Sequence, residues 1–294
     1  PEGTVEALRR RVDRALSSLL RRELDGVAEG AAEAVRHAVL SPGKRVRPSL
    51  VVAAYRAAGG SGKGIGELAC SVELVHAYSL VHDDLPCMDD DVLRRGRPTL
   101  HVRVGARRAA FVGAALMPLA ARAVRRSSRE LGLGGERGRR LLRILCSAAG
   151  ARGMVGGQLR DLRAEGRTVD RSELEEIHRR KTAALIAAAV RMGAVAARAD
   201  RALVERLSRF GRRLGLAFQA VDDILDVTGD AGELGKDGGR DRDLGKATYP
   251  SVLGLGEAER VSRELAAAAR AELDGLDGTA TLEALTDFVV ERRR

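Results

Sequence analysis

Apolar residues recur at three- and four-residue intervals along most of this chain, and that period constrains the fold more than any other feature. Leu16/Leu19/Leu20/Leu24, Leu141/Leu142/Leu145 and Leu203/Leu207/Phe210/Leu214 each mark one face of an amphipathic helix. Alternating β-branched runs between turn signals are missing, and alanine, the best helix former, is abundant. Gly-rich interruptions at Gly59–Gly66, Gly132–Gly138 and Gly275–Gly278 read as interhelical loops. No internal repeat and no linker divides the chain, so the reading is all-α, with residues 1–294 forming a single domain. One segment stands apart. Thr228–Thr248 is rich in Gly, Asp and Lys, and a loop of that length inside a compact domain is usually functional.

Composition removes several function classes. The longest apolar stretches, Gly113–Ala121 and Ala183–Val190, fall far short of the roughly 20 residues that span a bilayer, so no membrane span is expected. The N-terminal PEGTVEALRRRV lacks an apolar core and a small-residue cleavage site, so no signal peptide is expected. Cys70, Cys87 and Cys146 are odd in number and widely spaced, which argues against a disulfide framework and a zinc site and for a cytoplasmic location. The net charge of +10 suits an anionic partner, yet aromatics are only 2% of the chain, too few to stack single-stranded nucleic acid. The even spread of arginine also speaks against a nucleic-acid module. Only five of the 51 basic residues are lysine, and Lys44, Lys181, Lys236 and Lys246 fall in the motifs below, which points to a need for a compact ammonium there.

Two Asp-rich clusters dominate the chemistry. The first is HDDLPCMDDD, His82–Asp91. His76, Ser79 and Asp83 precede or open it at i, i+3, i+7 and share a helix face. Pro86 must end or bend that helix, letting Asp89 return towards Asp83. The second is FQAVDDILD, Phe218–Asp226, where Gln219, Asp222 and Asp226 share one face and Ala217, Val221, Ile224 and Leu225 form an apolar side. Five Asp between Asp83 and Asp91 repel one another unless a cation intervenes, and hard oxygen ligands at this spacing suit Mg²⁺.

Cations are supplied in short groups. GKRVRP (Gly43–Pro48) sets Lys44 and Arg47 three apart; Arg94 and Arg95 follow the first cluster; Lys181 and Thr182 open KTAALIAAAV; Lys236 and Lys246 lie in the long loop. Together with carboxylates and Mg²⁺ they make the usual clamp for a departing diphosphate. Other motifs fail. GGSGKG (Gly59–Gly64) is no P-loop, because Ala57 stands at the first required Gly and Gly64 follows Lys63. His37, His101 and His178 are isolated and read as structural.

GKRVRP, HDDLPCMDDDVLRRGRPT, GMVGGQLRDL (Gly153–Leu162), HRRKTAAL (His178–Leu185), FQAVDDILD and GKDGGRDRDLGKATYP (Gly235–Pro250) together resemble the trans-isoprenyl diphosphate synthase, or polyprenyl synthetase, family. Six motifs keep their order from about residue 40 to LEALTDFVVERRR at the end, and the bacterial synthases of farnesyl diphosphate are most similar. The resemblance implies a helical bundle around a deep central cavity, three Mg²⁺ per active site, and a homodimer. It implies that Asp83, Asp89 and Asp222 ligate metal, with Asp84 and Asp226 in support. Arg94, Lys181, Thr182, Gln219 and Lys236 would then hold the allylic diphosphate, and Lys44, Arg47, His76 and Arg95 isopentenyl diphosphate. Arg292–Arg294 resemble the family's tail, which closes over the site.

Product length is expected from Tyr78 and Ser79. Tyr78, five residues before Asp83, lies about 7.5 Å deeper on a helix, and Pro86 and Cys87 form an insert in the first motif. In the family, an aromatic at that depth with such an insert goes with a C15 product, farnesyl diphosphate; geranylgeranyl diphosphate is the alternative. Departures from the family pattern fall in Gly105–Ala121, where Ala106 and Ala114 replace acidic residues, Ala121 stands near an expected Phe, and Pro118 interrupts a helix. Ala114 and Ala121 are expected to deepen the pocket. A terpene cyclase would not need GKRVRP and a second DDxxD motif, and a non-catalytic prenyl synthase subunit would not keep both aspartate motifs.

Overall fold

The computed structural model describes residues 2–229 and 245–291. Helices α1 (Glu2–Glu23), α2 (Glu29–Leu40), α3 (Val46–Ala57) and α4 (Ile65–Asp83) are followed by a short hairpin, β1 (Leu93–Arg94) and β2 (Arg97–Pro98). Then come α5 (Leu100–Val104), α6 (Ala106–Glu130), α7 (Gly135–Ala149), α8 (Met154–Ala164) and α9 (Arg171–His178). A π-helical turn over Arg179–Ala183 leads into α10 (Ala184–Ala196) and the long α11 (Arg201–Thr228). Helices α12 (Tyr249–Leu253), α13 (Leu255–Ala271) and α14 (Ala280–Val290) complete the described residues. The all-α reading holds, and the loops expected at the Gly-rich segments join α3 to α4, α6 to α7 and α13 to α14.

Helix character follows from which faces are apolar. In α3, α4 and α10 apolar side chains run round the whole cylinder, so these helices sit at the centre, with Leu50, Leu68, Leu74 and Ile186 fully buried. Truncating such a leucine to alanine costs about 2–5 kcal/mol. Amphipathic α1, α6, α7 and α11 wrap them with one buried stripe each. Gly193 of α10 lets α3 come close, since a Cβ there would lie 2.4 Å from the Val51 carbonyl. A second core of Leu174, Ile177, Ala220, Tyr249 and Val261 packs behind the second Asp cluster. Caps define the starts of two site-bearing segments: Asp170 accepts from the Glu173 amide and Asp200 from the Leu203 amide, each at 2.8 Å.

Two expectations need correction. Pro118 does not interrupt its helix, because α6 runs unbroken from Ala106 to Glu130. Pro118 and Ala114, whose carbonyl loses its amide partner, both face solvent, while Leu116, Ala120 and Val124 anchor the flanking turns in the core. Ala114 therefore does not deepen the pocket; it lies on the outer side of α6. The hairpin was also unforeseen. It turns on Arg95 and Gly96, with φ of 54° and 71°, the left-handed pair that a two-residue hairpin loop requires. Among the described residues no helix is long and apolar enough to cross a membrane.

Candidate active site

A cavity of about 900 Å³ opens between α3, α4, the π turn, α11 and α14. Asp83 reaches it from the end of α4 and Asp222 from the last turns of α11; Lys44, Arg47, Arg94, Arg95 and Lys181 surround them, and Leu185, Met154 and Phe218 supply apolar wall. Asp83 is the last residue of its helix, at the negative pole of the helix dipole, which adds to the demand for a cation there.

Chain reversal after α4 depends on Pro86. Helix α4 stops at Asp83, and the Asp89 amide donates back to the Asp83 carbonyl at 2.9 Å, as the proline suggests. The acidic side chains then diverge. Burial pushes the Asp83 carboxyl up to about 6; Lys181 opposes this and Asp89 reinforces it. Asp84 turns away from the main cavity and accepts from Arg94 Nε at 2.6 Å, while Asp91 accepts from the same guanidinium at 3.0 Å. Asp89 accepts from Lys246 Nζ at 2.9 Å, a pairing across 157 positions of sequence.

The GKRVRP segment is fastened by Arg45. Its backbone is left-handed (φ 49°), and its buried guanidinium donates to Glu73 at 2.6 Å, to Asp13 at 2.9 Å and to the Ser41 carbonyl at 2.8 Å. With Arg45 held inward, Lys44 and Arg47 line the cavity on either side of it. Gly43 makes room for Arg95, whose guanidinium would lie 2.3 Å from a Cβ there and which donates to the Pro42 carbonyl at 2.7 Å. Burial, with Arg47 second, holds His76 well below its ordinary pKa, so a neutral ring can accept from Arg47 Nη1 at 3.4 Å. The Arg47 guanidinium carbon also lies 5.2 Å from the Phe218 ring centroid.

Lys181 and Thr182 sit on the π turn, a geometry that recurs at functional sites. Two glycines press against its backbone: a Cβ at Gly157 of α8 would lie 2.2 Å from the Lys181 nitrogen, and one at Gly215 of α11 2.5 Å from the Ala183 Cα. Lys181 Nζ donates to buried Asp161 at 2.5 Å; burial works against the ammonium, but Asp161 and Asp83 outweigh it and raise its pKa. Thr182 Oγ1 donates to Gln219 Oε1 at 2.6 Å, Gln219 Nε2 donates to Asp223 Oδ1 at 2.7 Å, and Asp223 Oδ2 accepts from the Tyr249 amide at 2.9 Å.

Of the residues singled out in the sequence, Lys44, Arg47, His76, Ser79, Asp83, Arg94, Arg95, Lys181, Thr182, Gln219 and Asp222 share the cavity. Asp84, Asp89 and Asp226 are not among its lining residues. Neither is Tyr78, because consecutive helical residues diverge by about 100°; its ring stands edge-on to His82, 4.6 Å between centroids, and His82 bonds to the Ala110 carbonyl of α6 at 3.1 Å. Lys236 and Arg292–Arg294 lie outside the described residues. The sequence reading passed over Arg45, Glu73, Gln158 and Asp161, and gave Lys246 no defined role. Arg45, Gln158 and Asp161 lie inside the quoted motifs, which was the available signal; Glu73 offers only a charge within a long apolar helix.

A model of the family described as Polyprenyl synthetase matches residues 29–276. A farnesyl diphosphate synthase of Escherichia coli (strain K12) is 46% identical over 269 residues, covering 89% of each chain. A chloroplastic geranylgeranyl pyrophosphate synthase of Capsicum annuum is 42% identical over 88% of this chain and 71% of its own. Among solved structures, a geranyltransferase from Helicobacter pylori, complexed with magnesium and isoprenyl diphosphate, superposes with a TM-score of 0.85 at 32% identity over 98% of both chains. An FPP/GFPP synthase from Zymomonas mobilis gives 0.87 at 33% identity over 99% of this chain and all of its own.

Proposed function

Since the chain belongs to the polyprenyl synthetase family and is a prenyltransferase, we propose that this cavity joins isopentenyl diphosphate head to tail with dimethylallyl or geranyl diphosphate, giving mainly farnesyl diphosphate. One observation carries the reading: carboxylates from two distant helices, Asp83 and Asp222, face one cavity that Lys44, Arg47, Arg94, Arg95 and Lys181 also line. A diphosphate needs those cations, and a growing hydrocarbon suits the apolar wall of Leu185, Met154 and Phe218.

The residues fit Mg²⁺. The donors are all hard carboxylate oxygens, and burial with like charge from Asp89 leaves Asp83 in want of a cation. Among the described residues no group of three or more His, Cys, Asp or Glu is gathered to hold a metal ion. Mg²⁺ completes its shell with water and substrate phosphate, so it would draw only part of that shell from these carboxylates. Asp83, Asp89 and Asp222 would hold it, Asp226 would assist, and Asp84 would act through Arg94. The number of ions is taken as three. Bound Mg²⁺ supplies charge neutralisation at the allylic diphosphate.

The chain's own groups account for the rest. Lys181 and Arg94, with Thr182, Gln219 and Lys236, hold the allylic diphosphate as its C–O bond breaks and the electron pair leaves with it. Lys44, Arg47, His76 and Arg95 hold isopentenyl diphosphate so that its double bond meets the allylic cation. A proton then leaves to the released diphosphate. Tyr78 does not itself line the cavity; its ring, edge-on to His82, would limit elongation near C15 from behind Ser79, which does line it.

The chain acts as one polyprenyl synthetase domain over residues 1–294, supported by a main core that draws on helices from α1 to α14. It is proposed to pair as a homodimer and to work in the cytoplasm. Mass spectrometry after incubation with isopentenyl and dimethylallyl diphosphates and Mg²⁺ tests the reading. A C15 product is expected; a C20 product would replace it with geranylgeranyl synthesis, a cyclic hydrocarbon with a terpene cyclase, and no condensation would overturn it.

A further inference from the structure

Gln158 lines the cavity, is 7% exposed, and neither its Oε1 nor its Nε2 has a hydrogen-bond partner among the described residues. Leaving a buried polar group unsatisfied costs about 1–3 kcal/mol, so such a group in a native fold asks for an explanation. The neighbouring cavity amide offers a contrast. Gln219 spends its oxygen on Thr182 and its nitrogen on Asp223, whereas the Gln158 carboxamide is left for whatever enters.

Its position defines what that is. Met154, Gln158 and Asp161 lie at i, i+4, i+7 and form one stripe of α8. Met154 belongs to the apolar wall, and Asp161 holds Lys181 at the diphosphate end. Gln158 therefore stands between the apolar wall and the Lys181 ammonium, where the prenyl-transfer reading puts the allylic carbons of a bound substrate. Gly157 fixes this register, because no side chain fits between α8 and the Lys181 backbone.

We propose that Gln158 is a catalytic residue whose carboxamide oxygen faces the allylic carbons and stabilises the positive charge that develops there. The assignment rests on the prenyl-transfer reading above. As the allylic C–O bond breaks heterolytically, its electron pair leaves with diphosphate and the three-carbon allyl unit carries one positive charge. The amide oxygen, with no donor competing for its lone pairs, can turn towards that charge and forms no bond to carbon. The double bond of isopentenyl diphosphate supplies the pair for the new C–C bond, and the proton is lost to diphosphate. An amide suits the place better than a carboxylate, which would capture the cation as an ester.

Two substrate analogues test the assignment. One is geranyl thiolodiphosphate, with sulfur at the bridging position and an uncharged chain; the other carries an ammonium at the allylic position and so resembles the cation. Gln158→Leu should lower kcat at least about tenfold, keep KM for both substrates within about threefold, leave affinity for the thiolo analogue unchanged, and weaken the ammonium analogue about tenfold. Equal weakening of both analogues, or no weakening of either, would overturn the proposal. If Gln158→Leu does not fold, Gln158→Glu carries the test alone: tighter binding of the ammonium analogue relative to the thiolo analogue is expected, and an unchanged ratio would overturn it. Condensation by the unaltered enzyme separates the two readings. Without any prenyl product the proposed function fails; with product but a flat analogue ratio, only the role of Gln158 fails.

Discussion

Arg45 donates to Glu73 across 2.6 Å where both side chains are only 5% exposed, and this pair ties the diphosphate-binding GKRVRP segment to the helix that ends in Asp83. Removing one partner of a buried pair strands the other charge, at a cost of about 3–5 kcal/mol. Glu73→Ala should therefore lower the Tm by roughly 10 °C. A melting temperature within about 2 °C of the parent would mean that Asp13 alone suffices to hold Arg45.

Metal dependence should be absolute. Chelation is expected to stop condensation, and Asp83→Ala or Asp222→Ala should each cut turnover by about two orders of magnitude or more, measured as incorporation of labelled isopentenyl diphosphate. Near-normal turnover in Asp222→Ala would sink the two-cluster site.

The cations should divide by substrate. Lys44→Ala and Arg47→Ala are expected to raise KM for isopentenyl diphosphate about tenfold with a smaller effect on the allylic partner, and Lys181→Ala should do the reverse. Equal effects on both substrates from all three would contradict two separate diphosphate subsites.

Acid stability should bear the mark of His178. Burial holds this imidazole at about 4, below its ordinary 6.5, so the unfolded chain takes up the proton first. Stability is then lost as pH falls from 6.5 towards 4 and not further below, by about 3 kcal/mol for this group at most. His178→Gln should flatten that part of the profile in urea unfolding between about pH 7 and pH 4.5. An identical acid loss in both proteins would exclude a buried neutral His178.

Product length offers the last check. Tyr78→Ala removes the ring that leans on His82 and should shift the product distribution from C15 towards longer chains, read by mass spectrometry. An unaltered distribution would move the limit to another residue.

Much of the architecture was legible because its causes are local. Periodic leucines and Gly-rich breaks mark the helices, Pro86 marks the reversal that returns Asp89 to Asp83, and helical spacing puts Asp222 on the side opposite the apolar face of α11. What escaped depends on partners far apart in sequence. Nothing near Asp84 says that it will turn to Arg94 rather than into the cavity, and nothing near Asp89 announces Lys246. Depth along α4 likewise does not reveal that Tyr78 stacks edge-on to His82, which depends on its angle around the helix. The hairpin at Arg95 and Gly96 escaped because two residues per strand leave no alternation to read.

The glycines at positions 157 and 215 touch no substrate, yet they belong to the least substitutable part of the molecule. Each lets its helix lie directly against the backbone of the turn that carries Lys181 and Thr182, Gly157 at Lys181 and Gly215 at Ala183. A single methyl group at either place would have to displace that backbone, and with it the ammonium and hydroxyl it presents. Tolerance to change in this enzyme therefore follows clearance around one closely packed turn, and a survey of random variants should find alanine there as damaging as the loss of a charged ligand.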